Sequence, residues 1–148
     1  MNENLDHHFY GDVDLESVKS SYLCINNLEY CFSLCLSLKE VDLSNWDVSR
    51  VKNMKGCFYS CTSLKSLELT TWDTSKVKNM SECFKGCKSL IFLDIENWTI
   101  SDDCGVKDMF KDCRRLSSIK CRPETFERIR DQLYGDRWVM LDGIANRV

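Results

Sequence analysis

The chain has 148 residues, 43% apolar and 29% charged, with a net charge of −3. That length fits one domain and leaves no room for a second catalytic one, and the near-balanced charge neither recruits nor strongly repels nucleic acid. The first twenty residues have no basic start and no apolar run, and nothing later approaches a membrane span. A cytoplasmic protein is therefore expected, surface-exposed only if an export signal has been removed.

Residues 1–23 read as an N-terminal cap in which Val13, Leu15 and Val18 supply an apolar edge and His7 and His8 lie in a solvated tail. From residue 24 to 121 the chain repeats with a period of 26. Cys31, Phe32, Cys35 and Leu38 return as Cys57, Phe58, Cys61 and Leu64, then as Cys83, Phe84, Cys87 and Leu90, and in part as Phe110, Cys113 and Leu116. Trp46, Trp72 and Trp98 keep the same beat. A period in the twenties is the signature of a stack of strand-and-turn units.

Each unit divides into three pieces. The first, such as NMSECFKGC, reads as a short helical turn, with Asn79 as cap and Met80, Cys83, Phe84 and Cys87 at spacings of three and four. The second is a short parallel strand, L-x-x-L-x-L, and the third a return loop such as WDTSKV, whose Asp73, Thr74 and Ser75 favour turns. The fold class expected is α/β: a short solenoid of about four 26-residue coils with N- and C-terminal caps. Residues 122–148 form the C-terminal cap, where Pro123 opens a helix with Phe126, Ile129 and Leu133 on one stripe and Trp138–Leu141 make a final strand.

The wording S-x-W-D-x-S-x-V-K-N-M followed by C-F-x-x-C-x-S-L-x-x-L resembles the BspA-like leucine-rich repeats, in particular the variant common in Mycoplasma surface lipoproteins, over roughly residues 24–121. The resemblance implies a curved solenoid used for binding, adhesion or recognition, with no shared catalytic residues. It departs from the commonest leucine-rich repeat in placing tryptophan, not asparagine, after the strand.

Ten cysteines invite metal or disulfide readings. The C-x3-C pairs Cys31/Cys35, Cys57/Cys61 and Cys83/Cys87 have a spacing that structural zinc can use. Against this, Met109 takes the place of a first cysteine, Cys121 takes the place of Leu43, Leu69 and Ile95, and no histidine is near, so the cysteines are read as reduced core residues. No cofactor or metal is expected. No histidine is tied to a cysteine by a motif, and phosphate-loop and paired-carboxylate motifs are missing, so the chain is not expected to be an enzyme.

The remaining information lies on surfaces. In each strand the residue between the last two apolar positions faces outward, giving Asp42, Glu68, Asp94 and then Lys120, with Glu40, Glu96 and Phe92 beside them. A solvated face accounts for these residues; so does an acidic concave surface that receives a basic protein segment. Arg50, Lys52, Lys76, Lys78 and Lys107 form a basic stripe in the loops, read as a charged solenoid back rather than a nucleic-acid site. The function expected is a non-enzymatic protein-protein interaction module. The alternative is a phage or mobile-element encoded inhibitor whose acidic ridge occupies a basic nucleic-acid groove of a host enzyme, and a third reading is a fragment of a longer surface adhesin. Partner and oligomeric state are left open.

Overall fold

The computed structural model describes residues 2–19, 21–135 and 137–148. The chain winds into about five stacked coils. One side carries short strands that continue from coil to coil: β2 (Ser17–Lys19) pairs with β4 (Glu40–Asp42), while β6 (Ser66–Glu68), β7 (Phe92–Asp94) and β8 (Ser118–Lys120) form a parallel sheet. A second side holds the parallel strands β1 (Asn2–Asn4), β3 (Leu23–Asn27) and β5 (Trp46–Asp47). The third side is built from turns.

Those turns correct the expected helices. Phe84, Cys87, Met80 and Cys83 are all buried as the spacing requires, but the segment is a run of four-residue β-turns. Asn79 Oδ1 accepts from the Ser81 amide, an Asx turn repeated at Asn27 and Asn53. Glu82 and Gly86 then take left-handed φ of 60° and 76°, which an α-helix excludes. The amides of Met80, Glu82, Phe84 and Gly86 therefore donate to the next coil, at Gly105, Lys107, Met109 and Lys111, instead of four residues back. Apolar residues three and four apart suit a train of β-turns as well as a helix, which is why the spacing misleads.

The N-terminal segment is a further coil, shortened to an offset of 23. Leu5, Phe9, Leu15 and Val18 stand where the next coil has Leu28, Phe32, Leu38 and Val41, and Phe9 stacks on Phe32 at 5.1 Å and 7°. The phenylalanine column continues through Phe58, Phe84 and Phe110 with centroid spacings of 5.2–5.8 Å. Trp46, Trp72 and Trp98 form a parallel buried column at 6.5 and 6.3 Å. Each stacked pair adds about 0.5–1.5 kcal/mol to plain burial. The indoles of Trp72 and Trp98 also donate to the carbonyls of Leu43 and Leu69, one coil back, so the column satisfies main-chain groups at the strand ends.

The strand side has one interruption. β4 and β6 do not pair, and near them side chains cross the junction, the Thr62 and Ser63 hydroxyls donating to Leu36 O. On the turn side the ladder crosses the same coils unbroken: Leu28, Tyr30, Phe32 and Leu34 amides donate to Asn53, Lys55, Cys57 and Tyr59.

At the C-terminus, helix α1 (Pro123–Ile129) begins at its proline and buries Phe126 and Ile129, while Leu133 falls just beyond it. Thr125 and Arg122 donate to Trp98 O, and Arg128 donates to the carbonyls of Ser101, Asp102 and Cys104, clamping the altered last return loop. The expected strand is β9 (Trp138–Leu141). Unexpectedly, β10 (Ile144–Arg147) inserts between β8 and β9, antiparallel to both.

Candidate functional site

The outward positions of the strand side follow from register. β2 places Lys19 beside Asp42, and β4 ends there. Across the interruption a second row runs Glu68, Asp94, Lys120, Ile144, Leu141, because β10 sets Ile144 against both Lys120 and Leu141. The neighbouring row reads Ser66, Phe92, Ser118, Asn146, Val139. Strands lie about 4.8 Å apart, so each row is a line of adjacent side chains.

The acidic residues divide into two kinds. Glu40, Asp42 and Glu68 are exposed. Asp42 is held below the usual carboxylate range chiefly by hydrogen bonding from Ser44, whose amide and hydroxyl both donate to it. Asp94, by contrast, is 9% exposed. Its Oδ1 accepts the Glu96 amide, and its Oδ2 lies 3.9 Å from Lys120 Nζ. That ammonium sits 2.7 Å from Glu96, and the bond to Glu96 is the main reason the Lys120 pKa is raised. Lys120 thus relieves the repulsion that stacked carboxylates would otherwise suffer. Beyond it the face turns apolar, with Leu141 65% and Val139 50% exposed and Ile144 half-buried. Phe92 is half-buried in the adjoining row.

Sequence reasoning therefore assembled Glu40, Asp42, Glu68, Phe92, Asp94, Glu96 and Lys120 on one side of the molecule, but missed Lys19 and the apolar trio. Lys19 lies in the coil whose offset is 23, and the trio depends on β10. The Leu15/Val18 spacing against Leu38/Val41 was the signal for the first.

The basic stripe is less uniform than its spelling. Lys78 pairs with Asp103 at 2.8 Å, whereas Arg50, Lys52, Lys76 and Lys107 are exposed with no ion pair among the described residues. All ten cysteines are free thiols. Cys35, Cys61, Cys87 and Cys113 each direct Sγ at the carbonyl of the phenylalanine one coil back, at 2.9–3.1 Å. This column is cysteine in every one of these coils because it packs like a small hydrophobe and donates as well. Burial pushes the Cys35 thiol up to about 11 and Cys113 to about 12, and it raises Cys57, Cys61 and Cys87 further still, which disfavours the thiolate that metal binding or nucleophilic attack needs. Among the described residues no cluster of His, Cys, Asp and Glu has metal-holding geometry, and no helix is long and apolar enough to cross a membrane.

Stacked coils, buried aromatic and thiol columns, and a graded outer sheet define a β-solenoid repeat protein. Residues 14–122 match the model of a family described as Mycoplasma protein of unknown function, DUF285, and the chain belongs to that family. No curated protein and no solved structure matches it.

Proposed function

We propose that the protein is a non-enzymatic binding module whose strand side receives a protein segment carrying basic residues at one end and apolar residues at the other. The coils are read as the BspA-like variety on the repeat wording quoted above. The observation that carries the function is the graded row: exposed carboxylates at Asp42 and Glu68, a neutralised centre at Asp94–Lys120, then Ile144 and Leu141. Exposed apolar side chains in line with charge are what a partner interface offers, with the apolar end supplying burial and the charged end orientation.

The inhibitor reading asks for a longer run of unpaired carboxylates, as a nucleic-acid mimic would present. Lys19 beside Asp42 and Lys120 beside Asp94 shorten that run, so the graded protein interface is the reading favoured.

The test uses three baits in parallel for affinity capture from the native host: the unaltered chain, the Asp42→Lys/Glu68→Lys variant and the Val139→Glu/Leu141→Glu variant. A partner enriched by the unaltered chain and lost with both variants supports the reading. The same set of proteins on all three baits excludes this face.

A further inference from the structure

The turn side carries a hollow of its own, remote from the graded row. Two columns of residues run along it. The first of the two left-handed positions in each coil gives His7, Tyr30, Gly56, Glu82 and Asp108. Three residues later, where each turn closes, stand Tyr10, Ser33, Tyr59, Lys85 and Lys111. Toward the C-terminus both columns are charged, with Lys85 bridging Glu82 and Asp108 at 3.5 Å each. Toward the N-terminus they are aromatic, and Ser33 stands where its neighbours above and below have tyrosines.

That missing ring leaves a hollow of about 360 Å3. His7, Tyr10, Tyr30 and Tyr59 wall it, with His7 5.2 Å from both Tyr10 and Tyr30, and Tyr30 edge-on to Tyr59 at 6.4 Å. Ser33, 1% exposed, lines it as well. Glu82 and Lys85 stand at the rim, an acceptor and a donor side by side.

Chemistry narrows the occupant. Lys55 and Lys85 ammoniums already lie 5.7 Å from the Tyr30 and Tyr59 ring centres, so a further cation meets like charge. A free anion faces the Glu82 carboxylate, and the one lysine in the lining, Lys85, is already paired with Glu82 and Asp108. A purely apolar group would take water from the charged Glu82 and Lys85 side chains without replacing it. A neutral pyranose meets all three conditions, because its C–H faces pack on aromatic rings while its hydroxyls both donate and accept. We infer that this hollow is a carbohydrate site taking a single neutral sugar ring.

Saturation-transfer difference NMR with the methyl glycosides of glucose, galactose, mannose and N-acetylglucosamine tests this on the full chain. Saturation should reach the ring C–H protons of at least one of them. Tyr10→Ala, at a half-exposed ring, and Ser33→Ala should each weaken that binding roughly 3–10-fold. Tyr22→Ala, at an exposed tyrosine elsewhere, and Glu68→Lys, on the graded row, should leave it unchanged, and each variant is first matched to the parent by circular dichroism. No saturation transfer to any of the four glycosides overturns the inference. So does binding that survives both hollow variants, or tetramethylammonium or inorganic phosphate competing for the same residues.

Discussion

Gly56 offers the sharpest test of how the turn side is assembled. Its φ is +59°, yet Tyr30, Glu82, Leu34 and Ser60 adopt similar values, so the fold tolerates L-residues there. What demands glycine is the ring above it: a Cβ on residue 56 would lie 2.2 and 2.3 Å from Tyr30 Cε1 and Cδ1. Gly86, at φ +76°, is the comparison, because a Cβ there is too close only to the Ser60 hydroxyl, at 2.7 Å, which can rotate away, while the Ser60 Cα and Cβ stand at ordinary contact distances of 3.5 and 3.6 Å. The left-handed conformation costs an alanine about 1–2 kcal/mol, and reduced freedom of the unfolded chain returns about 0.4–1. Gly86→Ala should therefore lose about 0.5–1 kcal/mol. Gly56→Ala must also expel the Tyr30 ring from its packing with Tyr59 and Lys55, adding about 1–1.5 kcal/mol. For a chain of this size that total of about 2 kcal/mol lowers Tm by roughly 4–8 °C, read by circular dichroism. Gly56→Ala made in a Tyr30→Ala background should cost no more than Gly86→Ala, a coupling of about 1 kcal/mol. Equal losses at the two glycines, or no relief from Tyr30→Ala, would refute the reasoning.

Three further outcomes are expected. In the native protein a maleimide should label Cys24 alone among the ten thiols, since Cys24 is half-buried and the others are buried; rapid labelling of several would contradict the core assignment. Cys87→Ala should destabilise by about 1–2 kcal/mol through lost packing and a lost bond to Phe58 O, while Cys87→Ser, which keeps a donor, should lose less, measured by urea denaturation. Asp47 and Asp73 are held below the usual carboxylate range chiefly by hydrogen bonding from Ser49 and Ser75. A depressed carboxylate contributes stability above its unfolded pKa of about 3.9 and loses it as pH falls through the folded value. Tm should thus fall below about pH 4, and more gently in Asp47→Asn/Asp73→Asn, which retains the turn acceptor without the titration; identical slopes would remove these turns from the account.

The 26-residue period was legible because each coil reuses the same core columns, and Phe32, Phe58, Phe84 and the three tryptophans announce it without reference to geometry. The nature of the turn was not. Cys83, Phe84 and Cys87 satisfy helical spacing and β-turn spacing alike, and only the left-handed Glu82 and Gly86 decide between them, a preference that glutamate does not advertise. The first coil was hidden by its three-residue deletion, which moves Phe9 and Val18 out of the 26-residue frame. With it were hidden Lys19 on the strand side and His7 and Tyr10 on the turn side. β10 escaped because Ile-Ala-Asn-Arg has no alternation of its own, and it becomes a strand only by pairing with both β8 and β9.

The unpaired seam between β4 and β6 has a consequence for unfolding. In a one-dimensional stack, stability is a sum of coil terms and nearest-neighbour terms, so the weakest junction sets where cooperativity divides. Here that junction keeps its main-chain ladder on the turn side, while on the strand side only side chains cross it, Trp72 to Leu43 O and Thr62 and Ser63 to Leu36 O. Partial unfolding of this stack should therefore divide first between the second and third coils, with Asp42 on one side of the break and Glu68 on the other.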